Sequence, residues 1–382
     1  MKPRLLIFAD YYLPGFRAGG PIASISRIVA SRRHDYDISI ITRDRDLGDT
    51  KAYDSIQPSE WNSREGISVF YALEEQITTD RILSEIRNVD PAIIYLNSYF
   101  SKFSRLVLRL RRYGKLPGIR ILVAPRGEFS PGALSLKSAK KKSYLAFANY
   151  TGLHWGVSWH ASAEMEKRDI VQVIGESADV VVEAPHVEIA TAADLANVVK
   201  HPGYADFAWL SRISPKKNLL GAIELLGHCN GNVALHIYGP IEDEAYWGKC
   251  RAAIEKLPGN VRVRHHGAIA PTDVAKTLSA HHFFLFPTFG ENFGHVIAEA
   301  LSAGCPVLLS DQTPWGDVTS NQAGWSIRLE SPDWISKIQN CIDMHDPDYQ
   351  AMRAAARNYL AAINANRSEN SSADIFNRLL AA

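Results

Sequence analysis

The sequence predicts an α/β protein built from two doubly wound, Rossmann-like parallel-sheet domains in series. Three observations carry this expectation. The 382 residues exceed what one hydrophobic core supports. Short, nearly continuous apolar runs alternate with helical stretches of roughly 10 to 20 residues. The alternation also restarts near residue 207, after a break.

The first set of runs is "RLLIFAD" (4–10), "DISIITR" (37–43), "ISVFYA" (67–72), "AIIYLNS" (92–98), "RILVAP" (120–125), "WGVSWHAS" (155–162) and "DVVVEAP" (179–185). The second is "FAWLSRI" (207–213), "VALHIYG" (233–239), "VRVRHHG" (261–267), "HFFLFPT" (282–288), "PVLLSD" (306–311) and "GWSIRL" (324–329). Strands apolar on both sides belong to parallel sheets covered on both faces. The boundary is expected within 186–205, giving domains 1–195 and 196–365. From residue 330 the pattern is helical, and Ser371 or Ser372 is the expected cap of a last helix with Asp374 in its first turn. Ligands of such sheets bind beyond the carboxyl ends of the strands, so a cleft between two facing domains is the expected site.

Composition narrows the function classes. A hydrophobic share of 46% and a charged share of 22% describe an ordinary globular chain, and a net charge of +1 argues neither for nor against a polyanionic partner. Cys229, Cys250, Cys305 and Cys341 contain no CxxC pair, which reads as free thiols in a reducing compartment. The opening "MKPRLLIFADYYLPGF" has too short an apolar run for a secretory signal. With no apolar run of membrane-spanning length, a cytoplasmic protein is expected.

Three motifs each follow a strand. "LPGFRAGGPIASI" places Gly15, Gly19 and Gly20 before a helix starting near Pro21. Backbone N–H groups and the helix dipole make such a turn an anion site or a plain structural turn. It is neither GxGxxG nor a Walker A sequence. In "LSRISPKKNLLGAIELL", Arg212 ends a strand and Lys217 precedes a helix. These cations suit one diphosphate, Arg by its forked donors and Lys as a point charge; a solvated basic loop is the alternative. In "GENFGHVIAEALSAGCPV" (290–307), Glu291 and Glu299 stand eight positions apart, and the N–H groups of Asn292, Phe293 and Gly294 could face a phosphate or sugar hydroxyls. Eight residues at helical rise span ~12 Å, about the reach from the sugar to the ribose of a nucleotide sugar. A carboxylate at each end would accept bidentate bonds from adjacent hydroxyls. The plainer reading makes Glu291 a helix-start acid and Glu299 a surface residue.

On these residues the chain resembles the family 4 glycosyltransferases, which have the GT-B fold. "GENFGHVIAEALSAGCPV" is similar to that family's E-x7-E motif, "SRISPKKN" to its Arg/Lys diphosphate motif and "AGGPIASI" to its N-terminal glycine loop. The similarity runs in order along nearly the whole chain and is strongest over 207–312. The resemblance implies a retaining, metal-independent transfer from a nucleotide diphosphate sugar as co-substrate, with no other cofactor. Residues 1–195 would serve the acceptor and 196–365 the nucleotide sugar, while 366–382 would cross back to the first domain. Arg212 and Lys217 would bind the diphosphate, Glu291 the sugar and Glu299 the ribose. Gly19 and Gly20 would approach the sugar phosphate, and Tyr238, Gly239, Gly267 and Ala268 would hold the base. The family often has a His after the strand corresponding to 120–125. This chain reads "APRGEFSPGAL", leaving Arg126 and Glu128 as acceptor-side candidates or as a structural pair.

Residues 101–145 carry twelve Lys/Arg (Lys102, Arg105, Arg109, Arg111, Arg112, Lys115, Arg120, Arg126, Lys137, Lys140, Lys141, Lys142) against the single acid Glu128. "LSLKSAKKKSYLAF" mixes these with apolar residues, which suits peripheral contact with an anionic membrane carrying a polyprenyl-linked or other lipid-linked acceptor. No nucleic-acid module is recognisable. The pairs His265–His266 and His281–His282 put neighbours on opposite faces of a strand, which makes each a poor metal site. The triplets Asp35/Asp37, Asp44/Asp46 and Asp346/Asp348 are expected by chance.

The expected function is therefore hexosyl transfer to a glycan or lipid-linked acceptor in surface polysaccharide synthesis (capsule, O-antigen or exopolysaccharide). The alternatives are another reaction of the same fold, such as sugar-nucleotide epimerisation, and a non-catalytic adaptor.

Overall fold

In the computed structural model, strand β1 (Arg4–Ala9) is buried at five of its six positions. Its alternate residues feed different cores: Leu6 and Phe8 join one cluster, Leu5, Ile7 and Ala9 the other. A strand covered on both sides needs apolar residues at every position. The structure describes residues 2–135, 138–185, 187, 189–191, 195–370 and 375–381. They divide into two compact units, Met1–Pro185 with Ser372–Ala382, and His186–Ser371.

The first unit continues with β2 (Asp37–Arg43), β3 (Trp61–Arg64), β4 (Ile67–Ala72), β5 (Ile93–Asn97), β6 (Arg120–Ala124), β7 (Ser158–Ala161) and β8 (Asp179–Val182). Their order in the sheet is β3-β4-β2-β1-β5-β6-β7-β8. All pairings are parallel except β3 with β4. The apolar-run pattern missed β3, because "WNSR" at the sheet edge is half-exposed. Its hairpin turns through Glu65 and Gly66, at φ 52° and 83°, the double positive φ that a two-residue type I′ loop requires.

The chain's last described helix, Ile375–Ala381, belongs to this unit. Ile375, Phe376 and Leu379 are buried with Leu5 and Ile7, and Tyr36 Oη donates to Asn377 Oδ1 at 2.7 Å. The long helix Asp346–Asn370 ends the second unit. The expected caps Ser371, Ser372 and Asp374 lie outside the described residues.

The second unit holds β9 (Tyr204–Leu210), β10 (Asn232–Tyr238), β11 (Val261–His265), β12 (Phe283–Phe286), β13 (Val307–Ser310) and β14 (Gly324–Ile327). All pairings are parallel, in the order β11-β10-β9-β12-β13-β14. Within the unit this is 3-2-1-4-5-6, the doubly wound order whose direction reverses between the first and fourth strands. Residues just after Pro185 go with this unit: Ala190 N–H donates to Ser302 Oγ at 2.6 Å, and Asn364 Nδ2 donates to Val187 O at 2.7 Å. The two units thus divide at 185/186. The four cysteines are buried free thiols. Among the described residues, no helix is long and apolar enough to cross a membrane.

One buried histidine, His160, and one half-buried, His154, make the first unit acid-sensitive. His160 Nε2 donates to Glu183 O at 2.7 Å and Nδ1 accepts from Tyr95 Oη at 2.8 Å. Burial, reinforced by the Arg126 charge, pushes it down to about 3. Burial beside Tyr99 lowers His154 to about 4. The unfolded chain binds these protons near pH 6.5, the folded one only below those values, so stability rises with pH between them. Thermal melts should fall from pH 6.5 to pH 4, and His154→Gln should show the shallower slope. A slope unchanged in that variant contradicts the assignment.

Candidate functional site

The site in the second unit begins where β9 and β12 end side by side. Beyond β9, Ser211 N–H donates to Tyr238 O at 3.0 Å, and Ile213 pairs with Ile241 as an isolated parallel bridge. A 3₁₀ turn, Pro215–Lys217, leads to Asn218, whose φ of 54° is one that Asn tolerates better than most residues. Its side chain caps the helix Leu219–Leu226 by accepting from Gly221 N–H at 3.3 Å. The same amide donates to Pro287 O at 2.8 Å, while Lys216 O accepts from Phe289 N–H at 2.9 Å and Thr288 Oγ1 at 3.1 Å. The loops after β9 and β12 are thereby stitched together.

This stitching brings Lys217 Nζ onto Glu291 Oε1 as a hydrogen-bonded ion pair, the side chains only 12% and 13% exposed. Lys217 Nζ also lies 5.9 Å from the Phe286 ring centroid. Arg212 does not join them. Its Nη1 holds Glu242 Oε1 at 2.6 Å, and these side chains are 35% and 39% exposed. Of the three residues, then, two are in contact and the third is paired with an acid that the motif reading overlooked. Glu242 follows the Ile213–Ile241 bridge, a contact that local sequence does not signal.

Glu299 lies in the helix His295–Ser302, which starts after Gly294 at φ 77°. Glu291 precedes this helix, so helical rise does not set its distance to Glu299, and the ~12 Å expected from eight helical residues does not apply. A side chain on Gly294 would meet Ile297 Cδ1 at 2.7 Å. Phe293 is buried against Trp315 with ring centroids 5.4 Å apart, and Trp315 Nε1 donates to its carbonyl. Glu291 N–H is satisfied by Gln312 O at 3.0 Å.

The loops after β10 and β11 approach each other through backbone. Gly239 N–H donates to Gly267 O at 2.8 Å, and His265 Nε2 lies 3.0 Å from Gly239 O. Gly239 sits at φ 130°, and a Cβ there would fall 1.9 Å from Ser211 O. Gly267, at φ 78°, faces open space, as the exposed Ala268 does. Tyr238 is buried, its hydroxyl 2.9 Å from His281 Nε2.

In the first unit the glycine loop leads into the helix Gly20–Arg32, with Gly19 at its N-cap. Asp46 Oδ2 already accepts from Phe16 N–H at 2.8 Å and Arg17 N–H at 3.1 Å. The Asp44/Asp46 triplet therefore has a local role: Asp46 shapes this turn and Asp44 binds Arg45. Arg126, at φ 56°, donates to Asn97 Oδ1 at 2.8 Å and to Tyr95 Oη at 2.5 Å. Glu128 accepts from Ser98 Oγ at 2.8 Å, Tyr99 N–H at 2.5 Å and Phe100 N–H at 3.1 Å. The two residues are not paired; each braces the end of β5 separately. Burial raises the Glu128 carboxyl, opposed by these hydrogen bonds. Burial likewise raises Asp10, just beyond β1, against the pull of Arg43. A single aspartate at a strand end gives no motif, and the sequence reading passed over it.

The sequence model of the family described as "Glycosyl transferases group 1" matches residues 193–359. The O-antigen chain mannosyltransferase B of Escherichia coli is 29% identical over 125 residues, a match covering 31% of this chain and 31% of that protein. Among solved structures, Anabaena HepE in complex with UDP and glucose superposes with TM-score 0.72 at 17% identity, covering 97% of this chain and 99% of that one. Sucrose-phosphate synthase of Thermosynechococcus elongatus gives TM-score 0.75 at 14% identity over the whole of both chains. The fold is GT-B: two Rossmann-like units and a C-terminal helix that returns to the first.

Gly239 and Gly267 separate two causes of glycine dependence. Gly267→Ala should cost about 1 kcal/mol from positive φ alone, and Gly239→Ala at least about 2 kcal/mol more, since backbone must also move. Urea unfolding followed by tryptophan fluorescence measures both. Equal costs would remove the close approach as a constraint.

Proposed function

We propose that the chain is a retaining, metal-independent glycosyltransferase that moves a hexose from a nucleoside diphosphate sugar to a glycan or lipid-linked acceptor. One observation carries this reading: a largely desolvated Lys217–Glu291 pair stands at the switch point of a doubly wound sheet, where such sheets bind nucleotides. Arg212 stands on the same loop after β9 as Lys217.

In this reading Arg212 and Lys217 hold the donor diphosphate. Charge grows on that group as the sugar departs, so both cations stabilise the transition state more than the ground state. Glu291 fixes Lys217 and accepts from hydroxyls of the transferred sugar. Glu299 receives the ribose, with N–H groups of Asn292, Phe293 and Gly294 beside it. Tyr238, Gly239, Gly267 and Ala268 frame the base, and Gly19 and Gly20 face the sugar phosphate. For transfer on one face of the sugar, the leaving phosphate itself takes the acceptor proton, so no side-chain base is obligatory. Arg126 and Glu128 shape the acceptor side by bracing β5.

The match to "Glycosyl transferases group 1" supports this chemistry. HepE is described with UDP and glucose, and the Escherichia coli relative as a mannosyltransferase. These names differ in sugar, so the assay must span donors, and surface polysaccharide synthesis is the proposed setting. A thermal-shift panel of UDP, GDP, ADP and their sugars should stabilise the wild type with one base. Arg212→Ala should abolish that shift. Glu291→Gln should keep nucleotide binding and lose at least about 100-fold in kcat. Absence of any nucleotide shift would favour a non-catalytic adaptor, and interconversion of the donor without acceptor would favour an epimerase.

The proposed partner surface is an anionic membrane bearing the acceptor, which places the protein at the cytoplasmic face. Tyr113, Phe147, Tyr150 and Trp155 are exposed large apolar residues in the first unit. Lys140 shares its helix face with Phe147, seven residues on. Some cations of this stretch are committed elsewhere: Lys102 pairs with Glu74, Arg111 donates to Trp155 O and Lys141 to Ala133 O. Lys137 lies outside the described residues. Those left exposed include Arg105, Arg109, Lys115, Arg120, Lys140 and Lys142. Flotation should recover the protein with anionic vesicles and much less with neutral ones, and Phe147→Ser with Tyr150→Ser should weaken recovery. Equal recovery from both vesicle types would rule the surface out.

A further inference from the structure

His236, His266 and His281 converge with Asp206 on one face of the second sheet, and no step of the proposed transfer uses them. Asp206 lies in β9 and His236 in β10; His281 sits just ahead of β12 and His266 just after β11. Asp206 pairs in register with Ala234 and His236 with Ala208, so Asp206 and His236 point to the same side of the sheet. The adjacent-pair argument against metal binding holds for each histidine pair taken alone: His265 turns to Gly239 O and His282 to Val199 O. The fold instead takes one member from each pair and adds His236.

The ligand atoms are Asp206 Oδ1, His236 Nε2 and His281 Nδ1, all within 4.8 Å of one another. Asp206 Oδ1 is 2.9 Å from His281 Nδ1 and 3.6 Å from His236 Nε2. Zinc–ligand bonds of about 2.0–2.2 Å in tetrahedral geometry put ligand atoms about 3.3–3.6 Å apart; the His236 distance lies at the upper end of that range, and the His281 distance is shorter, at hydrogen-bond length. An ordinary Asp–His hydrogen bond accounts for His281 alone. It leaves His236 Nε2 aimed at the same oxygen from beyond hydrogen-bond range.

The outer nitrogens are already oriented. His236 Nδ1 lies 2.8 Å from His266 Nε2, and His281 Nε2 lies 2.9 Å from Tyr238 Oη. Metal-bound histidines are held this way, the far ring nitrogen donating to a fixed partner. The His266 ring stacks on His236 at 5.1 Å and on Tyr238 at 4.7 Å, which locks the outer partners. The side chains of Asp206 and His236 are 18% and 26% exposed and that of His281 is 7% exposed, so the cluster is sheltered yet open on the His236 side.

We propose that Asp206, His236 and His281 form a site for one zinc-class divalent transition-metal ion, with water completing the coordination. The ion would tie β9, β10 and the approach to β12 together across the sheet face, beside Tyr238. It is distinct from the Lys217–Glu291 pair and takes no part in the transfer.

The test is titration of the full chain with Zn²⁺ by calorimetry and with Co²⁺ by visible absorption. One equivalent should bind, and Co²⁺ should give the intense bands of a low-coordinate centre. Asp206→Asn and His236→Ala should each weaken binding at least about 100-fold, and His266→Gln about tenfold. His201→Ala serves as the unaffected control. Zn²⁺ should raise the Tm of the wild type and not that of His236→Ala. Circular dichroism of the metal-free variants reports whether they fold, and His236→Gln replaces His236→Ala if the latter does not. Failure of the folded wild type to bind either ion, or binding undiminished in both ligand variants, overturns the site.

Discussion

The parallel placement of β12 against β9 is the constraint from which the second unit's site follows. β9 pairs with β10 on one side and β12 on the other, and the winding direction reverses between them. The chain leaving these two strands departs toward opposite faces, which opens a crevice at their carboxyl ends. Loops there must satisfy their own polar groups, and they do so by bonding to each other. Asn218 reaches Pro287, and Lys216 receives Thr288 and Phe289. Lys217 and Glu291, 74 residues apart in sequence, meet because these bonds fix both backbones.

The two ion pairs at this edge differ in kind. The Lys217–Glu291 pair is mostly shielded from water, so its attraction is weakly screened and each partner depends on the other for neutralisation. The Arg212–Glu242 pair is more than one-third exposed, and pairs of that sort contribute about 0–1 kcal/mol. A diphosphate offers Arg212 more charge than one carboxylate does, so exchanging Glu242 for such a ligand is cheap. In the proposed grip on a diphosphate, Lys217 would be the pre-positioned cation and Arg212 the exchangeable one.

In the first unit, acids serve the backbone before they serve any ligand. Asp46 caps the glycine loop and Glu128 caps the turn after β5. Each satisfies N–H groups that would otherwise stand open to an anion. The same holds for the basic segment, where Arg111 and Arg112 bind carbonyls of the loop before β7. A charge count along the chain overstates the surface charge because it ignores such internal partners.

The sequence by itself determined the layer architecture. Unbroken apolar runs such as "LLIFA" and "FFLF" require burial on both faces, and only parallel sheets clad in helices provide that. It also singled out Arg212, Lys217 and Glu291 in loops that follow strands, and Glu299 in the helix after one of them, as candidates. It did not reveal β3, whose four residues, three half-exposed and one exposed, have no apolar period. Tertiary structure alone decided the pairings: Lys217 with Glu291 rather than with Arg212, Glu128 with backbone amides rather than with Arg126, and His236 with one histidine from each adjacent pair. Those partners come from distant segments, and local periodicity records which way a side chain faces but not what it meets there.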